Sequence, residues 1–148
     1  MYSEEETLRI ELPEQYVDSS LFDVFTDATR KNHIKHLVIV QKYYDGYNLY
    51  NDDSLVIIPG TISHLTEVES ITIRAKIETL PRSLCSLKKL ELLDLTGCYN
   101  IESIPSEVLT MPNLKIKIGD TTTPASEVVI ITVPERAISS DIFFCSVS

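Results

Sequence analysis

Three histidines and three cysteines are the side chains of this chain best suited to chemistry beyond packing. A cysteine–histidine nucleophile needs a thiolate beside an imidazole and open to substrate. His33, His36 and His64 stand in no such signature. Cys85, Cys98 and Cys145 are odd in number and lack metal-ligand spacing. Cys85 and Cys98 fall where the apolar pattern described below points inward, a setting that suppresses a reactive thiolate. Asp45, Asn48, Asp52 and Asp53 share one stretch, but their spacing is not that of a calcium loop and no bidentate glutamate follows. G-x-S-x-G, H-E-x-x-H, C-x-x-C and a phosphate-cradling glycine loop are all missing. The four glycines, Gly46, Gly60, Gly97 and Gly119, are dispersed at turns. The chain therefore reads as non-enzymatic, with no catalytic residue, metal or cofactor expected.

The bulk properties narrow the class further. A chain of 148 residues fits one domain spanning 1–148. It is long enough to bury most of its surface without disulfides or metal. A net charge of -9 argues against a nucleic-acid backbone or an anionic membrane as the main partner. No apolar run approaches the roughly 18 residues of a membrane span. The start, MYSEEETLRI, is acidic where a signal peptide is basic and then apolar. Together with unpaired cysteines, these features imply a soluble cytoplasmic or nuclear protein.

The elements that would hold any functional side chain are set by residues 80–118. Leu80, Leu84, Leu87 and Leu90 are followed by Leu93 and Leu95 in strand alternation, then by Cys98. The order restarts at Ile101 and runs through Ile104, Val108, Met111, Leu114, Ile116 and Ile118. Two copies of one pattern indicate a repeat unit. Upstream, Ile34, Leu37 and Ile39 share the spacing, as do Val68, Ile71 and Ile73. The intervals are 34, 22 and 23 residues (71 − 37, 93 − 71 and 116 − 93), so the first carries an insertion. Leu8, Ile10 and Leu12 alternate with Arg9 and Glu11 as a half-buried strand that Pro13 ends. A helix is expected next, capped by Asp18, Ser19 or Ser20, with Leu21, Phe22, Val24, Phe25 and Ala28 inward and Arg30, Lys31 and His33 near its end. After Ile118, Gly119-Asp120 reads as a turn and TTTPAS as a polar loop. Val128–Val133, VVIITV, reads as the buried strand that closes the C-terminal edge, with the Ile142–Cys145 tail folding back or pairing with another subunit.

Residues 65–118 resemble leucine-rich repeats, whose strand reads L-x-x-L-x-L and whose outer segment reads L-P-x-x-L/I/V-x-x-L. Leu80-Pro81 with Leu84 and Leu87 fits the outer segment, as does Ile104-Pro105 with Val108 and Met111; Ile58-Pro59 with Ile62 and Leu65 fits more loosely. Leu93 to Cys98, LDLTGC, is similar to the strand and turn, with Cys98 in the slot usually held by Asn or Cys. Arg74 to Lys76 supply no such residue, so an irregular turn is expected there; the final strand is one residue off the template. The resemblance implies an α/β leucine-rich-repeat solenoid: a short curved parallel sheet, irregular or 3-10 outer segments, and an N-terminal strand–helix cap. Residues 7–33 form that cap or a degenerate repeat, 34–118 the repeats with an insertion at 42–57, and 119–148 a C-terminal cap and tail.

Side chains between the inward leucines would share the concave face. They are Thr7, Arg9 and Glu11; His36, Val38 and Val40; Ser70, Thr72 and Arg74; Leu92, Asp94 and Thr96; Lys115 and Lys117. A mixed polar face with a small apolar spot suits a protein or peptide partner. The insertion KYYDGYNLYNDDS adds Tyr43, Tyr44, Tyr47 and Tyr50, either as an adaptable recognition loop or as a satellite core on the flank. The expected function is a protein-protein interaction module, implied by the resemblance to act as an adaptor, scaffold or recognition element. The alternatives are a structural homodimer or larger homo-oligomer joined through its C-terminal edge, and a pathogen- or virus-encoded effector that engages a host protein.

Overall fold

Leu8, Leu37, Ile71, Leu93 and Ile116 stand opposite one another in five parallel strands and form one buried column. The strands are β1 (Thr7–Leu12), β2 (His36–Gln41), β3 (Ser70–Arg74), β4 (Leu92–Asp94) and β5 (Lys115–Ile118), in sequence order across the sheet. A sixth, β6 (Thr121–Pro124), runs antiparallel to β5. The computed structural model describes residues 6–13, 19–27, 32–42, 55–98, 101–118 and 121–125. A second inward column, Ile10–Ile39–Ile73, lies beside the first. Alternation with period two sends these residues to the core and their neighbours to the opposite face.

Parallel neighbours need a crossover between them. Three of the returns are built alike. Pro59, Pro81 and Pro105 each precede a short turn of helix: 3-10 at Gly60–His64 and Arg82–Ser86, and α1 at Ser106–Leu109. Each proline is extended, with ψ between 141° and 154°, and its fixed φ sets the chain's direction into the turn. The buried side of each turn supplies Ile62, Leu84, and Val108 with Leu109. Leu65, Leu87 and the half-buried Met111 close the outer segments against the same core. No unit has a core of its own, so burial comes only from stacking.

One hydrogen-bond ladder just before the strands ties the stack together. The Glu6 carbonyl accepts from Lys35 and His36 N–H, Lys35 from Glu69 and Ser70, Glu69 from Glu91 and Leu92, and Glu91 from Lys115. It runs from the first unit to the last at 2.6–3.2 Å. β1 therefore stacks on β2 as the later strands stack on one another.

Several expectations are corrected. The N-terminal helix is 3-10, Ser19–Thr26, and the side chains of Ser19 and Ser20, with Asp18, Ala28, Arg30 and Lys31, lie outside the described residues. Phe22 and Phe25 are buried with ring centroids 5.4 Å apart; their three-residue spacing is the one that eclipses in a 3-10 turn. Leu21, expected inward, is 40% exposed. Ile118 is 44% exposed although Leu114 and Ile116, in the same alternation, are buried. Cys85, expected inward, is half-buried beside the inward Leu84.

The C-terminal edge differs most. Thr121–Pro124, expected as polar loop, is the strand that covers β5, with Ile118 paired to Thr121 and Lys115 to Pro124. Threonine is polar but β-branched, and two residues between paired positions is a tight-hairpin length. Ala125 N–H then donates to the Leu114 carbonyl at 2.8 Å, and Ala125 is buried. Gly119-Asp120, Val128–Val133 and Ile142–Cys145 lie outside the described residues.

The irregular turn expected at Arg74–Lys76 is mended from the preceding unit. Gln41, the inward residue after Ile39, is buried, and its Oε1 accepts the Lys76 N–H at 2.9 Å. In the next unit the inward Cys98 plays the equivalent part, with its thiol donating to the Ile73 carbonyl at 3.2 Å. Both bonds cross between neighbouring units: Gln41 accepts from the unit after it, and Cys98 donates to the unit before it. An unpaired buried N–H there would cost roughly 1–3 kcal/mol.

Candidate functional site: the exposed face of the parallel sheet

The outward side chains line up across the strands as the inward ones do. One row is Thr7–His36–Ser70–Leu92–Lys115 and the next is Arg9–Val38–Thr72–Asp94–Lys117. Glu11, Val40 and Arg74 begin a third. The face residues of the sequence are thereby brought onto one surface, neighbours about 4.8 Å apart across the strands. Tyr43, Tyr44, Tyr47 and Tyr50 lie outside the described residues.

The face is not uniform. Arg9 and Glu11 neutralise each other in an exposed ion pair of 3.1 Å at the β1 end. His36 is only 6% exposed, and its Nδ1 is 2.8 Å from Ser70 Oγ. A serine hydroxyl within reach of an imidazole has the geometry of an activated nucleophile. Here the ring is buried, and neither residue lines the cavity on this face. The pair reads as a polar seam between β2 and β3. Val38, Val40 and Leu92 are half-buried and form the apolar part.

The cavity lies toward β5. Thr72, Arg74, Asp94, Thr96, Gly97 and Lys117 enclose about 200 Å³. Asp94 Oδ1 accepts the Thr96 N–H at 3.0 Å, which fixes the carboxylate and starts the turn after β4. Gly97, expected only as a turn glycine, is the floor under Arg74. A Cβ at Gly97 would come 2.7 Å from Arg74 Cγ and 2.9 Å from its Cα, so only glycine lets the two segments meet. Among the described residues neither Arg74 nor Lys117 is in an ion pair.

Cys98 lies beneath this turn. Burial pushes its thiol up to about 12, the Ala75 backbone pulls it partly back, and the Asp94 carboxylate raises it further. At neutral pH it is a thiol that donates a hydrogen bond, not a nucleophile. Among the described residues no cluster of three His, Cys, Asp or Glu side chains could hold a metal, and no helix is long and apolar enough to cross a membrane. A second, apolar hollow of about 240 Å³ lies away from this face, lined by Leu55–Ile58 and Glu78–Pro81 where the chain returns from the insertion.

In-register parallel strands 22 and 23 residues apart (93 − 71 and 116 − 93), proline-led outer turns, and stacked Leu and Ile columns define a leucine-rich-repeat solenoid. No protein-family model matches the chain. A stretch of 60 residues, 39% of the chain, is 37% identical to disease resistance protein RPP4 of Arabidopsis thaliana and spans 5% of that protein. A solved leucine-rich repeat domain, that of the type III effector XCV3220 (XopL), aligns over 74% of this chain and 43% of its own length at 20% identity with a TM-score of 0.40. The chain thus spans a small part of the first and less than half of the second.

Proposed function

We propose that the chain is a non-enzymatic interaction module that binds a protein or peptide across the exposed face of β1–β5. The carrying observation is the in-register face itself: five strands present polar, charged and apolar side chains as one surface, with a cavity at its β5 end. A mixed surface with a small apolar centre is the composition of a non-obligate interface. The buried Cys98 thiol and the buried His36 ring, set against Ser70 and away from the cavity, support a reading without catalysis. Tyr43, Tyr44, Tyr47 and Tyr50 are proposed to extend the contact from the insertion.

Affinity capture with mass spectrometry tests this when wild type is compared with two folded variants. Val38→Asp should lose the captured partner, whereas Lys88→Glu on an exposed outer turn should keep it. Retention by Val38→Asp together with loss by Lys88→Glu would move the interface to the outer side. A Ser replacement of the four insertion tyrosines should weaken capture without changing the circular dichroism of the sheet.

A further inference from the structure

We propose that the cavity at the β5 end of the face receives an Asp or Glu side chain of an extended peptide partner. The inference rests on the face-binding reading above and assigns one part of its ligand. Arg74 and Lys117 bring two positive charges to the cavity and Asp94 brings one negative, so the site carries a net +1 on a chain of net charge -9. That inversion is local, and neither cation is neutralised by an ion pair among the described residues. One Asp94 oxygen is already engaged by the Thr96 N–H. The carboxylate therefore acts as a fixed wall and leaves the guanidinium and ammonium available to an incoming anion.

Size and charge select the occupant. A cavity of about 200 Å³ admits one short side chain and lies below the roughly 300 Å³ at which drug-sized pockets begin. A net +1 matches a monoanion; a phosphate dianion would meet the Asp94 carboxylate with one charge left over. Capture of a chain terminus relies on backbone N–H nests, whereas the cationic donors here are side chains. A planar carboxylate is the natural match for a guanidinium fork. The Arg74 stem passes close over Gly97, where a Cβ would come 2.7 Å from its Cγ, while the residue stays exposed. Beside the cavity stand Val38, paired with Thr72, and Leu92, in the adjoining row two residues before Asp94, so the acidic residue should have an apolar neighbour in the peptide.

The test is selection of a random dodecapeptide phage library on the full chain. The expected result is enrichment of one Asp or Glu next to an apolar residue. A selected peptide should bind the Arg74→Gln variant about tenfold or more weakly, in line with loss of a charge-assisted hydrogen bond. Its Glu→Gln analogue should lose as much on wild type, less on Arg74→Gln, and nothing further on Arg74→Gln/Lys117→Gln. The double variant Arg74→Glu/Lys117→Glu should select Lys or Arg at that position. Three results would overturn the proposal: selection without an acid, selection of phosphoserine analogues over Glu in a follow-up array, or an acid preference that survives Arg74→Gln and Lys117→Gln. If such peptides are still lost on Val38→Asp, the face reading stands and only the carboxylate site fails. If no peptide is enriched, or binding ignores both sets of variants, both readings fail.

Discussion

At the scale of single residues, Cys98 illustrates how a position with apparent chemical potential is consumed by structure. Its Sγ donates to the Ile73 carbonyl, and the side chain is 4% exposed. A thiol of this kind ionises near 9.0 when unfolded and at about 12 in the folded chain. Between those values the unfolded chain has lost a proton that the folded chain keeps. Stability is therefore unaffected by this group below pH 9.0 and falls as pH rises through the window, by about 1.4 kcal/mol per pH unit. Cys98→Ala removes this dependence while introducing a small pH-independent cavity cost. Urea midpoints at pH of about 8 and about 10 should fall more steeply for wild type than for Cys98→Ala. Lysines and tyrosines that titrate in the same range are common to both, so equal slopes would show that the thiol is not shielded.

At the scale of elements, what was legible in the sequence depended on whether the signal was local and periodic. The strand columns were, because Leu37, Ile71 and Leu93 recur with a fixed pattern around them. The Gln41–Lys76 bond was not, because the mending residue lies 35 positions from the amide it satisfies. The site was legible as a face and not as a cavity: Thr72, Asp94 and Lys117 followed from the period, but Gly97 as the seat of Arg74 depends on a contact between different turns. β6 was hidden by composition, since a threonine run reads as loop by polarity and as strand by branching. An unpaired parallel edge templates association. β6 covers the edge of β5, so removing its donors by Thr122→Pro/Thr123→Pro should leave that edge open. Sedimentation velocity should then show concentration-dependent association in the variant and none of that increment in wild type. A variant no more self-associating than wild type would mean that β6 is not the protective element.

At the scale of the whole molecule, the stack is one-dimensional but uneven. β1 and β2 pair over six positions, β2 and β3 over five, and the later parallel pairs over three each. Exposed ion pairs such as Lys89–Glu67 at 2.6 Å and Lys35–Glu6 at 3.6 Å link neighbouring units and add little each. In a solenoid, stability is the sum of units and the interfaces between neighbours, so a cavity acts first on the interfaces it touches. Leu93 is fully buried between β3 and β5. Leu93→Ala should cost roughly 2–5 kcal/mol. The loss should fall on the narrow half, β4 to β6, more than on the wide ladder β1 to β3, whose pairing does not involve residue 93. Native-state hydrogen exchange reads this directly. In the variant, amides of β4 and β5 should exchange faster by a larger factor than those of β2. An equal loss of protection from β1 to β6 would mean that the units unfold as a single cooperative block and that the uneven ladder has no energetic consequence.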